Sequence, residues 1–409
     1  MRNASRILVL VAACGLIAPA PAQTRAAGVN QAALAEIPKR IQEAIDHHVV
    51  TGAVTLVATG KEVLEFEAQG MADVEANRPM RKDTIFQIMS MTKPVTAIGI
   101  MMMADAGKLA LRDPVEQYLP EFRNQKVAAN IGPDAARLGA PEHPITIRDL
   151  LTHTAGIQDP APASIKDYPQ LMNVTLKQVV QELAKTPLLF QPGSQWSYSS
   201  PGIEILGRII EVVSGQKYED FIAARILQPL GMKDTFFFPT PEKLPRISMV
   251  YVSQDGKLLR APASILAGDP TKYRQGAVFS APGWGLYSTA DDLLRLYRMM
   301  LNDGVFEGHR YLSHFSVQLM TEAHTKGIPS VGWMRGADYG LAWEVVTTPF
   351  GELAGHGAGS YGHGGAFGTQ GWIDPGNGLI SILMIQRADG GTESLRNSFL
   401  HMAEASLGK

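Results

Sequence analysis

Phe86-Gln87-Ile88-Met89-Ser90-Met91-Thr92-Lys93-Pro94 leads into a strongly apolar segment that continues to about Asp105. The apolar run predicts a buried helix, with Gly107 and Lys108 as its stop. Pro94 fits near the start, where its missing N–H costs little. Residues three apart on a helix share a face, so Ser90 and Lys93 point the same way. Serine at its ordinary pKa is a poor nucleophile, and first-turn N–H groups favour a developing negative charge. A lysine in the same turn of a greasy helix is partly desolvated. Its pKa falls, and a neutral amine can accept the serine proton. A serine cap followed by a solvated lysine has the same spacing, so the pair needs support from elsewhere in the chain.

Working outward, Ala53 to Ala58 and Val63 to Gln69 are rich in Val, Leu and Phe and flank Thr59-Gly60-Lys61, a hairpin pattern. Near the other end, Gln370 to Ile373 and Leu379 to Gln386 flank the turn Asp374-Pro375-Gly376-Asn377-Gly378. The two ends therefore read as strands of one antiparallel sheet, with helices after Gln31 and over Leu395 to Leu407 packed on it. In between, Leu109 to Leu119, Ile147 to Leu151, Leu176 to Ala184, Ile203 to Val213, Tyr218 to Leu227 and Ala290 to Leu301 show helical spacing. The expected class is α/β (α+β): an antiparallel sheet flanked by helices. A mainly helical lobe, roughly 108–330, is inserted in it, with a cleft where the two meet. Residues 23–409 form a single two-lobed domain.

The 409 residues are 45% hydrophobic and 19% charged, enough for a sizeable core, and the formal net charge is -2. No basic block recommends a nucleic-acid partner. Arg2 and Arg6 precede the apolar run Ile7 to Ala18, and Ala20-Pro21-Ala22 follows it. This describes an export signal over 1–22, too short for a comfortable span, and a periplasmic or secreted protein. Cys14 is the only cysteine and lies inside that signal, so cleavage after Ala22 removes the thiol. Val11-Ala12-Ala13-Cys14 also fits a lipoprotein box, which would tie the chain to a membrane through Cys14.

Further motifs follow in order: Leu150-Leu151-Thr152-His153-Thr154-Ala155-Gly156-Ile157, then Pro192-Gly193-Ser194-Gln195-Trp196-Ser197-Tyr198-Ser199-Ser200. After them come Gly285-Leu286-Tyr287-Ser288-Thr289-Ala290-Asp291-Asp292-Leu293 and Gly362-His363-Gly364-Gly365-Ala366. As an ordered set they resemble the serine β-lactamase-related superfamily, which includes class C β-lactamases, DD-peptidases, D-aminopeptidases and family VIII carboxylesterases. The resemblance implies Ser90 as nucleophile, Lys93 as its partner and Tyr198 as a proton shuttle to the leaving group. It places His363-Gly364-Gly365 on an edge strand lining the cleft, binding substrate together with Ser200. The N–H groups of Ser90 and Ala366 would form the oxyanion hole.

The third motif is commonly Lys-Thr-Gly in β-lactamases, and an Asn often ends the second. Here His363 and Ser200 stand in those places. Losing a permanent cation and an amide points away from β-lactams and towards small esters. The implied reaction is acyl transfer through an acyl-enzyme, with no metal or cofactor. The alternatives are a β-lactamase or a DD-peptidase/D-aminopeptidase, acyl transfer to an acceptor other than water, and a penicillin-binding-like sensor without turnover. Gly357 to Gly362 fits G-x-G-x-x-G but lacks a surrounding βαβ unit. His47-His48 and His356…His363 lack metal-ligand spacing. Met101-Met102-Met103 reads as core, Asp291 and Asp292 as a helix start, and the His153 motif as structural. Phe236-Phe237-Phe238 and Trp284 line an acyl pocket or pack the lobe.

Overall fold

Thr59 closes the first hairpin itself. Its hydroxyl accepts from the N–H groups of Lys61 and Glu62, and its own N–H reaches the Glu62 carbonyl. The strands on either side, β1 (Gly52–Thr59) and β2 (Val63–Asp73), pair antiparallel. A computed structural model describes residues 28–129, 137–159, 173–262, 269–272, 274, 276–329 and 336–407. The predicted signal over 1–22, with Cys14 and the cleavage point after Ala22, lies outside them.

The large sheet has eight strands. Besides β1 and β2 they are β3 (Arg78–Pro79), β4 (Ala337–Tyr339), β5 (Glu344–Val346), β6 (Tyr361–Gly364), β7 (Gln370–Asp374) and β8 (Leu379–Met384). Their spatial order is β4-β5-β6-β7-β8-β1-β2-β3, with every pairing antiparallel. The ends of the chain thus meet at the centre, where Val54 of β1 faces Met384 of β8.

Both faces of β1 and β8 are covered, so these strands are apolar nearly throughout. On one face, helices α1 (Gln31–Asp46) and α7 (Glu393–Ala405) bury Leu34, Ile37, Ile41 and Phe399 against Val57, Trp372 and Leu383. On the other, α6 (Ala290–Leu301) packs against β8, β1 and β7. A side chain at Gly371 of β7 would collide with the Tyr297 ring of α6. This amends the expected lobe boundary: the apolar stripe Leu293, Leu294, Leu296, Tyr297 and Met300 seats α6 on the sheet, although it falls within 108–330.

The other helices gather beyond that face: α2 (Thr92–Asp105), α3 (Ile147–Leu151), α4 (Leu176–Leu183) and α5 (Ser200–Ser214). α2 is buried almost all round, Met101 and Met103 included, and packs on α5. Local chemistry sets the ends: Thr146 and Asp149 form a capping box at α3, and Thr175 and Gln178 one at α4. The expected helix over Leu109 to Leu119 shrinks to one turn, Val115–Tyr118, because Pro114 and Pro120 bracket it. Asp292 of the helix start at α6 bonds the Thr235 hydroxyl and the Asp234 N–H. Phe236 stacks on Tyr287 and Phe237 packs on Tyr218, so both serve the core.

Phe399, fully buried between α1 and the sheet, is the side chain that most clearly welds the two ends of the chain. Phe399→Ala is expected to lower unfolding free energy by about 3–5 kcal/mol, read from urea denaturation. A loss below about 1 kcal/mol would contradict this packing.

Candidate active site

Phe86 and Gln87 pair with Ser288 and Tyr287, so the chain enters the nucleophile segment as a short strand. Met89 adopts a left-handed conformation (φ 50°), and Met89–Met91 form a 3-10 turn before α2 begins at Thr92. Ser90 therefore sits in the turn that precedes the α-helix. Leu286 braces this turn from both sides. Its carbonyl accepts the Ile88 N–H and its N–H donates to the Thr92 hydroxyl. The sequence motif Gly285 to Leu293 thus supports the nucleophile turn and then starts α6.

Lys93 is fully buried. Its Nζ lies 3.0 Å from Ser90 Oγ, 3.1 Å from Ser200 Oγ and 2.9 Å from the Gly283 carbonyl oxygen. Burial lowers its pKa from 10.5 to about 7, against the charges of Asp159, Glu204 and Glu344, which act to raise it. The Tyr198 ring is stacked under the same nitrogen, 4.5 Å from centroid to Nζ. The Tyr198 hydroxyl hydrogen-bonds Ser90, while burial holds its pKa well above 10. An amine able to take a proton and a phenol that keeps its own both adjoin one serine.

Ser199 caps α5 by accepting the Gly202 N–H, which fixes Tyr198 and Ser200 on either side of the cap. Ser200 N–H donates to Asp159 Oδ2 at 2.8 Å. The other wall is β6. It is internal to the sheet, not an edge strand, but its pairing with β5 stops at Gly362. His363 and Gly364 pair only with β7 and leave the other side open.

Gly365 abuts the nucleophile turn: a Cβ there would lie 2.5 Å from the Ile88 carbonyl oxygen. Gly365 N–H bonds the Thr369 carbonyl and Gly365 O receives Gly368 N–H, a tight turn that exposes Ala366 next to that contact. The sequence reading places the His363 ring among the substrate-binding groups. The structure turns it inward: the ring is 2% exposed, with Nε2 3.0 Å from the Tyr339 hydroxyl and Nδ1 2.7 Å from the Gly364 carbonyl oxygen.

Four contributors escaped the sequence reading. The Gly283 carbonyl is a backbone group with no side-chain signal. Glu204 is buried and its Oε1 accepts the Gly283 N–H at 3.3 Å. An acid between Ile203 and Ile205 in an apolar run, four residues after Ser200, was a usable clue. Asp159 carried none. The fourth is Arg396 of α7, whose Nη2 lies 2.8 Å from the point where a Gly364 Cβ would be. A guanidinium from a helix distant in sequence thus stands beside the third motif. Among the described residues, no group of three or more His, Cys, Asp or Glu is arranged to hold a metal ion.

A family model described as Beta-lactamase matches residues 37–404. The chain belongs to the beta-lactamase family. Among curated relatives of this family member, Esterase EstB of Burkholderia gladioli is 30% identical over 370 residues, covering 85% of this chain and 88% of EstB. Penicillin-binding protein 4* of Bacillus subtilis is 26% identical over 321 residues, covering 77% of this chain and 64% of that protein. Among solved structures, "EstCE1, a hydrolase with promiscuous acyltransferase activity" superposes with a TM-score of 0.75 at 26% identity, covering 91% of this chain and 99% of that one.

With Lys93 near 7, kcat/KM is expected to rise through an apparent pKa of about 7 as the amine loses its proton. Asp159→Asn keeps an acceptor for the Ser200 N–H but removes a charge that favours the ammonium, so this limb should move to lower pH. A pH–rate profile checks both, and a limb that stays put in the variant contradicts the electrostatic assignment.

Proposed function

We propose that this beta-lactamase-family hydrolase is a carboxylesterase that cleaves small esters through an acyl-enzyme on Ser90. The observation that carries the reading is the 3.0 Å contact between Ser90 Oγ and a buried Lys93 whose pKa is near neutral. Ser90 Oγ attacks the ester carbonyl carbon while its proton passes to Lys93 Nζ. The resulting oxyanion is met by the N–H groups of Ser90 and Ala366, a role supported by the close approach of neighbouring Gly365 to the Ile88 carbonyl. On collapse the ester C–O bond breaks. The Tyr198 hydroxyl gives its proton to the departing alcohol and regains one from Lys93. Water, deprotonated by the same pair, then attacks the acyl carbon and releases acid and free Ser90.

Small esters as the substrate class draw support from the EstB likeness and from the buried His363 ring that replaces a lysine. β-Lactam or peptide turnover is the second reading, favoured by the Arg396 guanidinium beside Gly364 and by the relation to penicillin-binding protein 4*. Export to the periplasm belongs to the proposal and rests on Arg2, Arg6, the apolar run from Ile7 and Ala20-Pro21-Ala22. A membrane association would come from lipidation at Cys14. Among the described residues no helix is long and apolar enough to cross a membrane.

Ser90→Ala is expected to cut hydrolysis of short-chain p-nitrophenyl esters by at least about 1,000-fold. Tyr198→Phe should lower kcat by about 100-fold or more with KM within about threefold. Fast nitrocefin turnover beside weak ester cleavage would replace the esterase reading with the second one.

A further inference from the structure

The Ser90 mechanism leaves three buried ring side chains unused, and they lie in a row between the two walls of the cleft. His153 follows α3 and takes a left-handed backbone (φ 58°), rare for a residue with a side chain. Its carbonyl accepts the Ser197 N–H, and its ring Nδ1 lies 3.2 Å from the Ser199 N–H. Its Nε2 lies 3.1 Å from the Tyr339 hydroxyl at the end of β4. That hydroxyl is 3.0 Å from His363 Nε2, and His363 Nδ1 is 2.7 Å from the Gly364 carbonyl oxygen.

The two ends of this row determine every proton in it. A backbone N–H can only donate, so Nδ1 of His153 is bare and its ring proton is on Nε2, donated to Tyr339. The Tyr339 hydroxyl then has its single proton to give, and it goes to Nε2 of His363. The His363 proton must therefore be on Nδ1, where the Gly364 carbonyl accepts it. The two imidazoles are neutral and hold opposite tautomers.

We infer that His153, Tyr339 and His363 are positioning residues that form a one-way hydrogen-bond chain, tying the Tyr198–Ser200 wall to the Gly364 wall and setting the spacing of the Ser90 cleft. The charged and titratable neighbours agree with neutral rings. Burial and the Lys93 charge both lower the His153 pKa. His363 is pushed down to about 3 by burial, by Lys93 of α2 and by Arg396 of α7. Glu344 of β5 approaches His363 Nδ1 at 3.6 Å, but the nearer Gly364 carbonyl takes the proton, so this is no ion pair. The chain also braces the shuttle itself, since the His153 ring lies 4.7 Å from that of Tyr198.

The inference shares the Ser90 site with the esterase reading, but its first test needs no substrate. In 15N-histidine NMR of the whole protein, His153 should show the Nε2–H tautomer and His363 the Nδ1–H tautomer, unchanged from pH 5 to 9. Mixed tautomers, or a His363 that titrates near 6.5, would overturn it. Tyr339→Phe keeps the ring but removes the link: the Ser199 N–H and the Gly364 carbonyl still hold the two tautomers, but the Nε2 resonances of both histidines, deprived of the hydroxyl partner, should shift. In the same variant kcat should fall about tenfold or more, with KM within about threefold. Trp196→Phe, which loosens the ring packing around His153 and Tyr339 without removing a hydrogen bond of the chain, should leave both Nε2 resonances nearly in place. Unchanged Nε2 resonances in Tyr339→Phe, or equal shifts in Trp196→Phe, refute the chain. An inactive protein with the expected tautomers would sink only the esterase reading.

Discussion

A lysine amine with no exposed surface is held where a full positive charge is costly and a neutral amine is not. Lys93 meets that conflict halfway. The Gly283 carbonyl and two hydroxyls solvate it, carboxylates at a distance favour its charge, and desolvation opposes it. The balance falls near neutrality, where an amine is most useful as a base. Each element around it has a part in this: the braced 3-10 turn presents Ser90, the α5 cap presents Ser200, and Glu204 orients the Gly283 peptide.

The same burial that lowers Lys93 raises Tyr198, so one environment separates the base from the acid. A group charged when protonated and a group charged when deprotonated respond to desolvation in opposite directions. Buried His153 and His363 follow the lysine and stay neutral, which suits them to hold position and removes them from acid–base work. The ring of the third motif is thus turned inward, and the Arg396 guanidinium of α7 stands beside its Gly364.

Much of the scaffold was legible in local patterns. Ala53 to Gln69 and Gln370 to Gln386 read as hairpins because their turns carry Gly, Asn and Asp between β-rich runs, and α4, α5 and α6 read from their spacing. Leu109 to Leu119 has helical apolar spacing, but Pro114 within it and Pro120 after it confine the helix to one turn. The edge-strand placement of β6 failed for a different reason. Strand order depends on which segments meet in space, and β4 and β5 come from a stretch with no strong alternation.

At the site, Ser90, Lys93, Tyr198 and Ser200 were named from the sequence because helical spacing and motif order are properties of the chain itself. What the chain alone determined is the identity of the reacting groups and the class of fold that brings them near each other. Only the tertiary structure decided their charge states and directions: how deeply Lys93 is buried, which way the His363 ring turns, and that Asp159, Gly283 and Arg396 complete the cleft. Those properties depend on solvent exclusion and on partners far away in sequence, and no local pattern of residues records either.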